Sequence, residues 1–278
     1  MELSIAEWLK AVFLGIVEGI TEWLPISSTG HMILVDEFIK MQITEEFKAL
    51  LLVVIQLGAI LAVVVLYFKQ LWPFSAKERL FVCADKFSMW FKIFVACIPA
   101  GVIGILFDDP IDALLMKPMV VVVTLILYGV LFLVLEKRGV GSRPRVTQIS
   151  GITYRDALFI GMFQLLALIP GTSRSGATIL GGMLIGLARP AAAEFTFFLA
   201  VPVMAGASLI KSLKYGMEYG FSLSGTETII LVTGMLVAFL VSIAVIRFLM
   251  SYIRKHNFVV FGWYRIALGL ILLGYFCL

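Results

Sequence analysis

Six long apolar stretches constrain this chain more than any other feature of its sequence. They lie at roughly 46–67, 90–107, 118–135, 192–213, 228–250 and 258–278. A helix needs about 20 mostly apolar residues to cross a bilayer, and each stretch is close to that length. The whole chain is 61% hydrophobic and 14% charged, whereas a soluble domain carries about 25% charged residues. One soluble domain could not bury this much apolar surface, so the sequence predicts an all-α integral membrane protein with six transmembrane helices.

Two further apolar stretches are interrupted by polar turns, and neither half of each is long enough to cross alone. Residues 5–35 are interrupted at 24–30, the first break, and residues 155–188 at 170–176, the second break. Irregular backbone is tolerated at membrane depth only where protein or a water-filled cavity surrounds it. The sequence therefore predicts two re-entrant helical hairpins beside the six spans.

Loop charges predict how the segments thread the membrane. Basic residues are concentrated in 68–89, 136–155 and 251–257, which the positive-inside rule places in the cytoplasm. The connections 36–45 and 108–117 are acid-rich and are expected outside. The first hairpin then enters from outside and the second from the cytoplasm.

The two halves of the chain also resemble each other weakly. A shift of 146 residues aligns Gly15 with Gly161, Glu18 with Gln164, Ser27 with Ser173 and Gly30 with Gly176. We interpret residues 1–278 as a single membrane domain with pseudo-repeats at about 1–135 and 150–278. Each repeat holds one hairpin and three spans, so the second is expected upside down, and inverted repeats with broken helices usually form their site near the midplane.

The first hairpin carries ionisable side chains where they are costly. Glu18 and Glu22 are four residues apart and share one helix face. The polar residues that follow are Ser27, Ser28, Thr29, Gly30 and His31. A helix that starts after such a break exposes backbone N–H groups, which form an anion site.

The second break offers the same device and adds a guanidinium, which can hold two phosphate oxygens at once. Its polar positions are Thr172, Ser173, Arg174, Ser175, Gly176 and Thr178. A charge at the bilayer centre costs about 2.5–3.5 kcal/mol. Three unpaired charges would cost roughly 8–10 kcal/mol, comparable to the stability of a whole domain. Function explains such a cluster better than folding does.

Two structural explanations remain open for the same residues. Arg174 could form a buried ion pair with Glu18 or Glu22 that locks the hairpins together. The serines and threonines could be helix caps, which is the role that Ser27 and Ser175 suit as well as substrate binding.

Segments 15–31 (GIVEGITEWLPISSTGH) and 170–178 (PGTSRSGAT) closely resemble the motifs of the bacterial undecaprenyl-diphosphate phosphatases of the bacitracin-resistance family. The resemblance covers nearly the whole chain. It implies hydrolysis of undecaprenyl diphosphate to undecaprenyl phosphate and inorganic phosphate in the bacterial cytoplasmic (inner) membrane, which recycles the lipid carrier for peptidoglycan synthesis. It also implies a divalent cation and resistance to bacitracin, which sequesters the diphosphate substrate. The phosphatidic-acid type of membrane phosphatase is excluded, because no histidine follows Arg174 before His256.

The expected division of roles follows from chemistry and resemblance together. Arg174 and the N–H groups of the breaks are expected to bind diphosphate, and Glu18 and Glu22 to hold Mg²⁺ or Ca²⁺. Ser28 is the favoured nucleophile, with His31 as base or proton shuttle. A phosphorylated His31, or water activated by a glutamate, is the alternative, and one glutamate could orient the serine or histidine instead. The remaining substrate-binding candidates are Ser27, Thr29, Thr172, Ser173, Ser175, Gly176 and Thr178.

A lipid-phosphate flippase or secondary transporter is the rival function, because inverted repeats, broken helices and midplane charges also describe transporters. A flippase needs charge neutralisation but no nucleophile. A purely structural membrane scaffold leaves the polar clusters unexplained. The net charge of +4 is too small and dispersed to indicate nucleic acid. The sequence leaves open a homo-oligomer, the leaflet that the site faces and any lipid flipping.

Overall fold

The computed structural model describes residues 4–74, 83–115 and 117–277, and for 36–37, 108–109 and 112–113 the backbone alone. Within these ranges the regular structure is helical, apart from isolated bridge positions, among them the bridge between Val146 and Leu187. The basic positions 77 and 79, which contribute to the orientation prediction, lie outside the described residues. So do the side chains of the acidic positions 36–37, 108–109 and 112.

Eleven α-helices occur in the described part of the chain. They are α1 (Ile5–Thr21), α2 (Ser28–Ile39), α3 (Glu45–Leu66), α4 (Phe68–Leu71), α5 (Ala84–Leu115), α6 (Pro118–Lys137), α7 (Tyr154–Gln164), α8 (Arg174–Leu184), α9 (Arg189–Tyr219), α10 (Gly225–Ile253) and α11 (Val259–Cys277). By length and composition, α3, α5 up to Phe107, α6, α9, α10 and α11 can cross a membrane. The six predicted spans are confirmed, and the chain is an all-α multi-pass membrane protein.

Helix α10 begins before its apolar stretch, and a polar cap precedes it. At the start of α10 the Ser224 hydroxyl accepts the Glu227 N–H at 3.2 Å, and the Glu227 carboxylate accepts the Ser224 N–H at 2.8 Å. This reciprocal capping satisfies two donors that the first turn leaves free. Helix α5 is interrupted at Phe107, whose φ of −127° and ψ of 20° are not helical. Pro110 follows, and its ring prevents a regular bond to the preceding turn.

The two interrupted stretches break close to the predicted positions. Helix α1 ends at Thr21 and α2 begins at Ser28, while α7 ends at Gln164 and α8 begins at Arg174 after a short 3₁₀ helix, Leu165–Leu168. Both breaks are present, but α2 and α8 begin inside the predicted intervals 24–30 and 170–176, so the last three residues of each interval are helical. The re-entrant placement of these hairpins in the bilayer stays a prediction.

The residues that start α2 and α8 have the same local geometry. Ser27 and Ser173 have φ angles of 74° and 73°, a region that residues other than glycine rarely adopt. The Ser27 hydroxyl accepts the Gly30 N–H at 3.2 Å, and the Ser173 hydroxyl accepts the Gly176 N–H at 3.1 Å. Each serine therefore caps the helix that follows it. The 146-residue shift aligns these same positions.

Helix packing follows a matching pattern in the two halves. Helix α1 packs against α10 and α7 against α5, while α3 packs against α9 and α6 against α11. Gly15 of α1 faces the carbonyl of Gly234 in α10, and Gly161 of α7 faces the carbonyl of Ala96 in α5. These contacts agree with the proposed pairing of the halves. The inverted repeat itself stays a prediction.

A buried ion pair joins three helices away from the two breaks. Arg189, at the start of α9, donates to both carboxylate oxygens of Glu136 near the end of α6. Glu136 also accepts the N–H of Phe258, just before α11, at 3.0 Å. The charges are paired and hydrogen-bonded, as burial requires.

Candidate active site

The carboxylate of Glu22 joins the two breaks. Glu22 follows the last residue of α1, and its side chain is buried. The Ser28 hydroxyl donates to Glu22 Oε2 at 2.8 Å, and Arg174 Nη2 donates to Glu22 Oε1 at 2.9 Å. A potential nucleophile from one half of the chain and a cation from the other are therefore held on a single carboxylate.

Arg174 keeps donor capacity after these contacts. Its Nη1 donates to the Thr196 carbonyl at 3.2 Å, and its buried Nε has no partner. Its side chain is 12% exposed, and a guanidinium carries five N–H donors. The structural explanation that Arg174 pairs with a buried glutamate is met by Glu22. This ion pair does not explain why the buried Nε–H of Arg174 has no acceptor.

A short chain of hydroxyls fixes the backbone beside Arg174. Thr178 donates to the Arg174 carbonyl at 2.9 Å, and Thr196 of α9 donates to the Thr178 hydroxyl at 2.9 Å. Both threonines are fully buried. The sequence predicts Thr178 as a substrate-binding residue; its hydroxyl makes these two hydrogen bonds, and substrate binding by Thr178 stays a prediction.

Glu18 lies one turn before Glu22 on the same helix face and is almost completely buried. Its Oε1 has no hydrogen-bond partner. A buried carboxylate oxygen without a donor is unusual, because buried polar groups are nearly always satisfied. An incoming ligand could supply the missing partner.

The two glutamates can be compared with what a divalent cation requires. No group of three or more His, Cys, Asp or Glu side chains suited to a metal occurs among the described residues. Mg²⁺ in phosphoryl-transfer sites usually takes one or two carboxylates together with substrate phosphates. The unpartnered oxygen of Glu18 suits that role. Both oxygens of Glu22 already accept a hydrogen bond, so Glu18 fits a cation better than Glu22 does.

His31 is not paired with Ser28. Its Nδ1 lies 2.7 Å from the Ser27 carbonyl, which can only accept, so Nδ1 carries the proton. Its Nε2 lies 2.7 Å from the Tyr264 hydroxyl and accepts from it in the neutral ring. Neither ring nitrogen contacts Ser28, and the predicted role of His31 as base or proton shuttle for Ser28 stays a prediction. The Ser28 hydroxyl has Glu22 as its partner instead.

The other predicted binding residues differ in burial and in their hydrogen bonds. The Ser175 hydroxyl lies 3.1 Å from the Glu22 carbonyl, 3.3 Å from that of Leu24 and 3.1 Å from the Ser173 hydroxyl. Ser175 therefore fastens α8 to the first break. Thr29 is exposed, and Thr172 is fully buried. The capping explanation is correct for the hydroxyl of Ser27, and that of Ser173 also caps a helix, whereas the Ser175 hydroxyl makes the contacts above and does not cap.

Sequence reasoning missed two consecutive residues of α11. Tyr264 contacts His31, and the fully buried Arg265 donates to the carbonyls of Pro25, Gly171 and Thr172. A usable signal existed for Arg265, since a charged residue inside the apolar stretch 258–278 is as costly as Glu18. Tyr264 gave no such signal, because tyrosine is common near membrane interfaces.

Comparison with known proteins gives a consistent result over the full length. Residues 11–271 match the family described as bacitracin resistance protein BacA. The chain is 60% identical over 276 residues to the undecaprenyl-diphosphatase of Lachnoclostridium phytofermentans, covering 99% of both chains. It is 58% identical over 275 residues to the undecaprenyl-diphosphatase of Enterococcus faecalis, covering 98% of both. It is 59% identical over 271 residues to undecaprenyl-diphosphatase 1 of Clostridium acetobutylicum, covering 97% of both. With its six spans, its two breaks and this match, the chain belongs to the bacitracin resistance protein BacA family.

Proposed function

We propose that this protein is an undecaprenyl-diphosphatase, which hydrolyses undecaprenyl diphosphate to undecaprenyl phosphate and inorganic phosphate. One observation carries the proposal: Glu22 holds the Ser28 hydroxyl and the Arg174 guanidinium on its two oxygens. A nucleophile, its base and an anion-binding group are then adjacent, which is the constellation that phosphoryl transfer needs. The names of the curated relatives support the same activity.

Glu22 acts as the base for Ser28 in this proposal. As Ser28 Oγ attacks the terminal phosphorus, its proton passes to Glu22 Oε2 and the bond from phosphorus to the bridging oxygen breaks. Undecaprenyl phosphate leaves, and Glu22 passes the serine proton to the leaving phosphate oxygen. Water then attacks the phosphoserine and gives one proton to the deprotonated Glu22, which returns it to Ser28 Oγ as the bond from phosphorus to this oxygen breaks and inorganic phosphate is released. The Ser28 hydroxyl is regenerated. Attack by His31 or directly by water are the competing routes.

Arg174 stabilises the charge that develops on the transferred group. Its free Nε–H and the backbone N–H groups at the starts of α2 and α8 are donors for phosphate oxygens. Such donors are fixed before the reaction begins, so they cost no reorganisation in the transition state. Bidentate contact with a diphosphate suits guanidinium geometry better than an ammonium.

A divalent cation, Mg²⁺ or Ca²⁺, would be held by Glu18 with a contribution from Glu22. When bound, it would neutralise charge on the phosphate oxygens. Glu18→Gln is then expected to shift activity to higher metal concentration, measured as phosphate release across a Mg²⁺ titration. The same metal dependence in wild type and variant would remove Glu18 from the ligand set.

The biological setting follows from the substrate. Hydrolysis in the bacterial cytoplasmic membrane would return the lipid carrier to peptidoglycan synthesis. Bacitracin sequesters the diphosphate, so faster removal of the diphosphate would confer resistance. The long apolar spans provide the surroundings that a prenyl tail requires.

The decisive experiment measures phosphate release from a C55 or C15 prenyl diphosphate by purified protein, with and without EDTA. Release that EDTA abolishes and Mg²⁺ restores is the expected result. The same protein in liposomes is tested for movement of a labelled prenyl phosphate between leaflets. Lipid movement without phosphate release would favour a flippase and overturn the proposal.

A further inference from the structure

Arg265 carries a charge that the proposed chemistry does not use. It lies in the second turn of α11 and is fully buried within a helix apolar enough to cross a membrane. A charge at such depth costs about 2.5–3.5 kcal/mol on insertion scales. None of the ion pairs between described side chains involves Arg265. Its guanidinium is therefore held by neutral groups alone.

These neutral groups are three backbone carbonyls. Nη1 donates to the Pro25 carbonyl at 3.1 Å, while Nη2 donates to the carbonyls of Gly171 and Thr172 at 2.7 and 2.9 Å. Pro25 lies in the first break and the other two lie in the second. One guanidinium thus joins both breaks, directly before the helices whose N-termini face the site.

Tyr128 and Gly176 lie next to the Arg265 guanidinium. The Tyr128 ring centre lies 5.5 Å from the Arg265 guanidinium carbon. A Cβ added at Gly176 would lie 3.4 Å from Arg265 Nη1, in van der Waals contact with it. The first turn of α8 therefore lies directly against the guanidinium.

We propose that Arg265 is a positioning residue that sets the separation of the N-termini of α2 and α8, and with it the fit of the site to a diphosphate. This proposal rests on the diphosphatase function proposed above. The N-terminal N–H groups of both helices bind anions only if they point at the same ligand. A misplacement of 1 Å can cost about 10²-fold in rate. The carbonyl oxygens are neutral, so they do not cancel the positive charge of the Arg265 guanidinium. This charge lies next to both breaks and also stabilises a bound anion.

Arg265→Lys is the central test, since it keeps the charge and removes the fork. An ammonium is a point donor and cannot reproduce the planar contacts to both breaks. We expect kcat to fall about 10²-fold with little change in KM, because Arg174 and the metal site remain to anchor substrate. Arg265→Met, which removes charge and donors at similar volume, is expected to lose more. If Arg265→Met does not fold, the lysine variant carries the test.

The matched control is Arg189→Lys. Arg189 is a largely buried arginine whose partner Glu136 lies outside both breaks. We expect its kcat per folded molecule to remain at the wild-type level, even if its melting temperature drops. An equal loss of kcat in both lysine variants would indicate general packing and overturn the proposal.

A second readout does not depend on activity. Spin labels are placed at the exposed positions Phe38 in α2 and Leu184 in α8, after replacement of the three native cysteines. We expect a narrow distance distribution in the parent and in Arg189→Lys, and a broader or shifted one in Arg265→Lys. An unchanged distribution, or wild-type kcat, in folded Arg265→Lys would overturn the positioning role. Absence of phosphate release by the wild type would instead overturn the proposed function, and the distance measurement would still test Arg265.

Discussion

At the scale of single residues, the candidate site is defined by the hydrogen-bond partners of its two buried glutamates. Glu22 shares its two oxygens between Ser28 and Arg174, whereas Glu18 keeps an oxygen free. The proposed mechanism gives the two acids different roles, because their hydrogen-bond partners differ. The sequence placed both on one helix face but could not assign the partners, which come from residues 6 and 152 positions away from Glu22.

Ser28→Ala is expected to lower phosphate release by about 10³-fold or more while the protein folds normally, because the attacking oxygen is lost. The measurement is single-turnover release from a C15 diphosphate by monodisperse protein. Ser208→Ala is the matched control. That buried serine donates to the Val53 carbonyl, far in sequence from both breaks. Substantial release by Ser28→Ala would exclude the serine as nucleophile and favour His31 or water.

Arg174→Lys is expected to be nearly as damaging as Arg174→Ala, with a loss of about 10²–10³-fold in kcat. Lysine can still pair with Glu22 but cannot also reach Thr196 and offer a third donor to phosphate. Steady-state kinetics separate the effects. A fall in kcat indicates action on developing charge, and a rise in KM indicates anchoring of substrate. Near-wild-type kcat/KM would instead show that Arg174 serves only as an ion-pair partner.

At the scale of helices, hydropathy predicted the presence of each transmembrane helix better than it predicted the residues at which the helix begins and ends. All six spans occur, but α9 starts at Arg189 and α10 at Gly225, before their apolar stretches. The extra turns depend on Pro190 and Ser224, whose contribution is local stereochemistry and capping rather than burial. The two breaks were predictable because serine and glycine clusters interrupted an otherwise helical pattern. Tyr264 was not, since its role depends on how α11 packs beside α2.

Close contact between helices predicts that alanine substitutions at Gly161 and Gly206 have different effects on stability. An alanine at Gly161 would press its Cβ into the backbone of Ala96, whereas no atom lies within 4 Å of a Cβ at Gly206. Gly161→Ala is expected to lower stability by about 1–3 kcal/mol. Gly206→Ala is expected to leave it unchanged or raise it slightly, because alanine favours helix. Thermal unfolding followed by tryptophan fluorescence compares them. Equal melting temperatures would contradict this packing.

At the scale of the whole molecule, the predicted threading can be tested directly. In a background without native cysteines, a cysteine at Lys40 is expected to react with an impermeant reagent only from outside. A cysteine at Arg143 is expected to react only from the cytoplasm. Both positions are exposed and lie in connections of opposite expected side. Labelling of both from one side would contradict the inverted repeat, while the helices themselves would be unaffected.

The strained serines Ser27 and Ser173 also limit which substitutions this sequence can tolerate during evolution. Their positive φ costs of order 1–3 kcal/mol in a residue other than glycine. Glycine would relieve that cost but would remove the hydroxyl that caps the next helix. Alanine would lose the cap and keep the strain, and threonine would keep the cap at a greater steric cost because it is β-branched. Each of these replacements loses the cap or adds steric cost, so we expect few neutral substitutions at these two positions, although the proposed mechanism gives neither hydroxyl a chemical step.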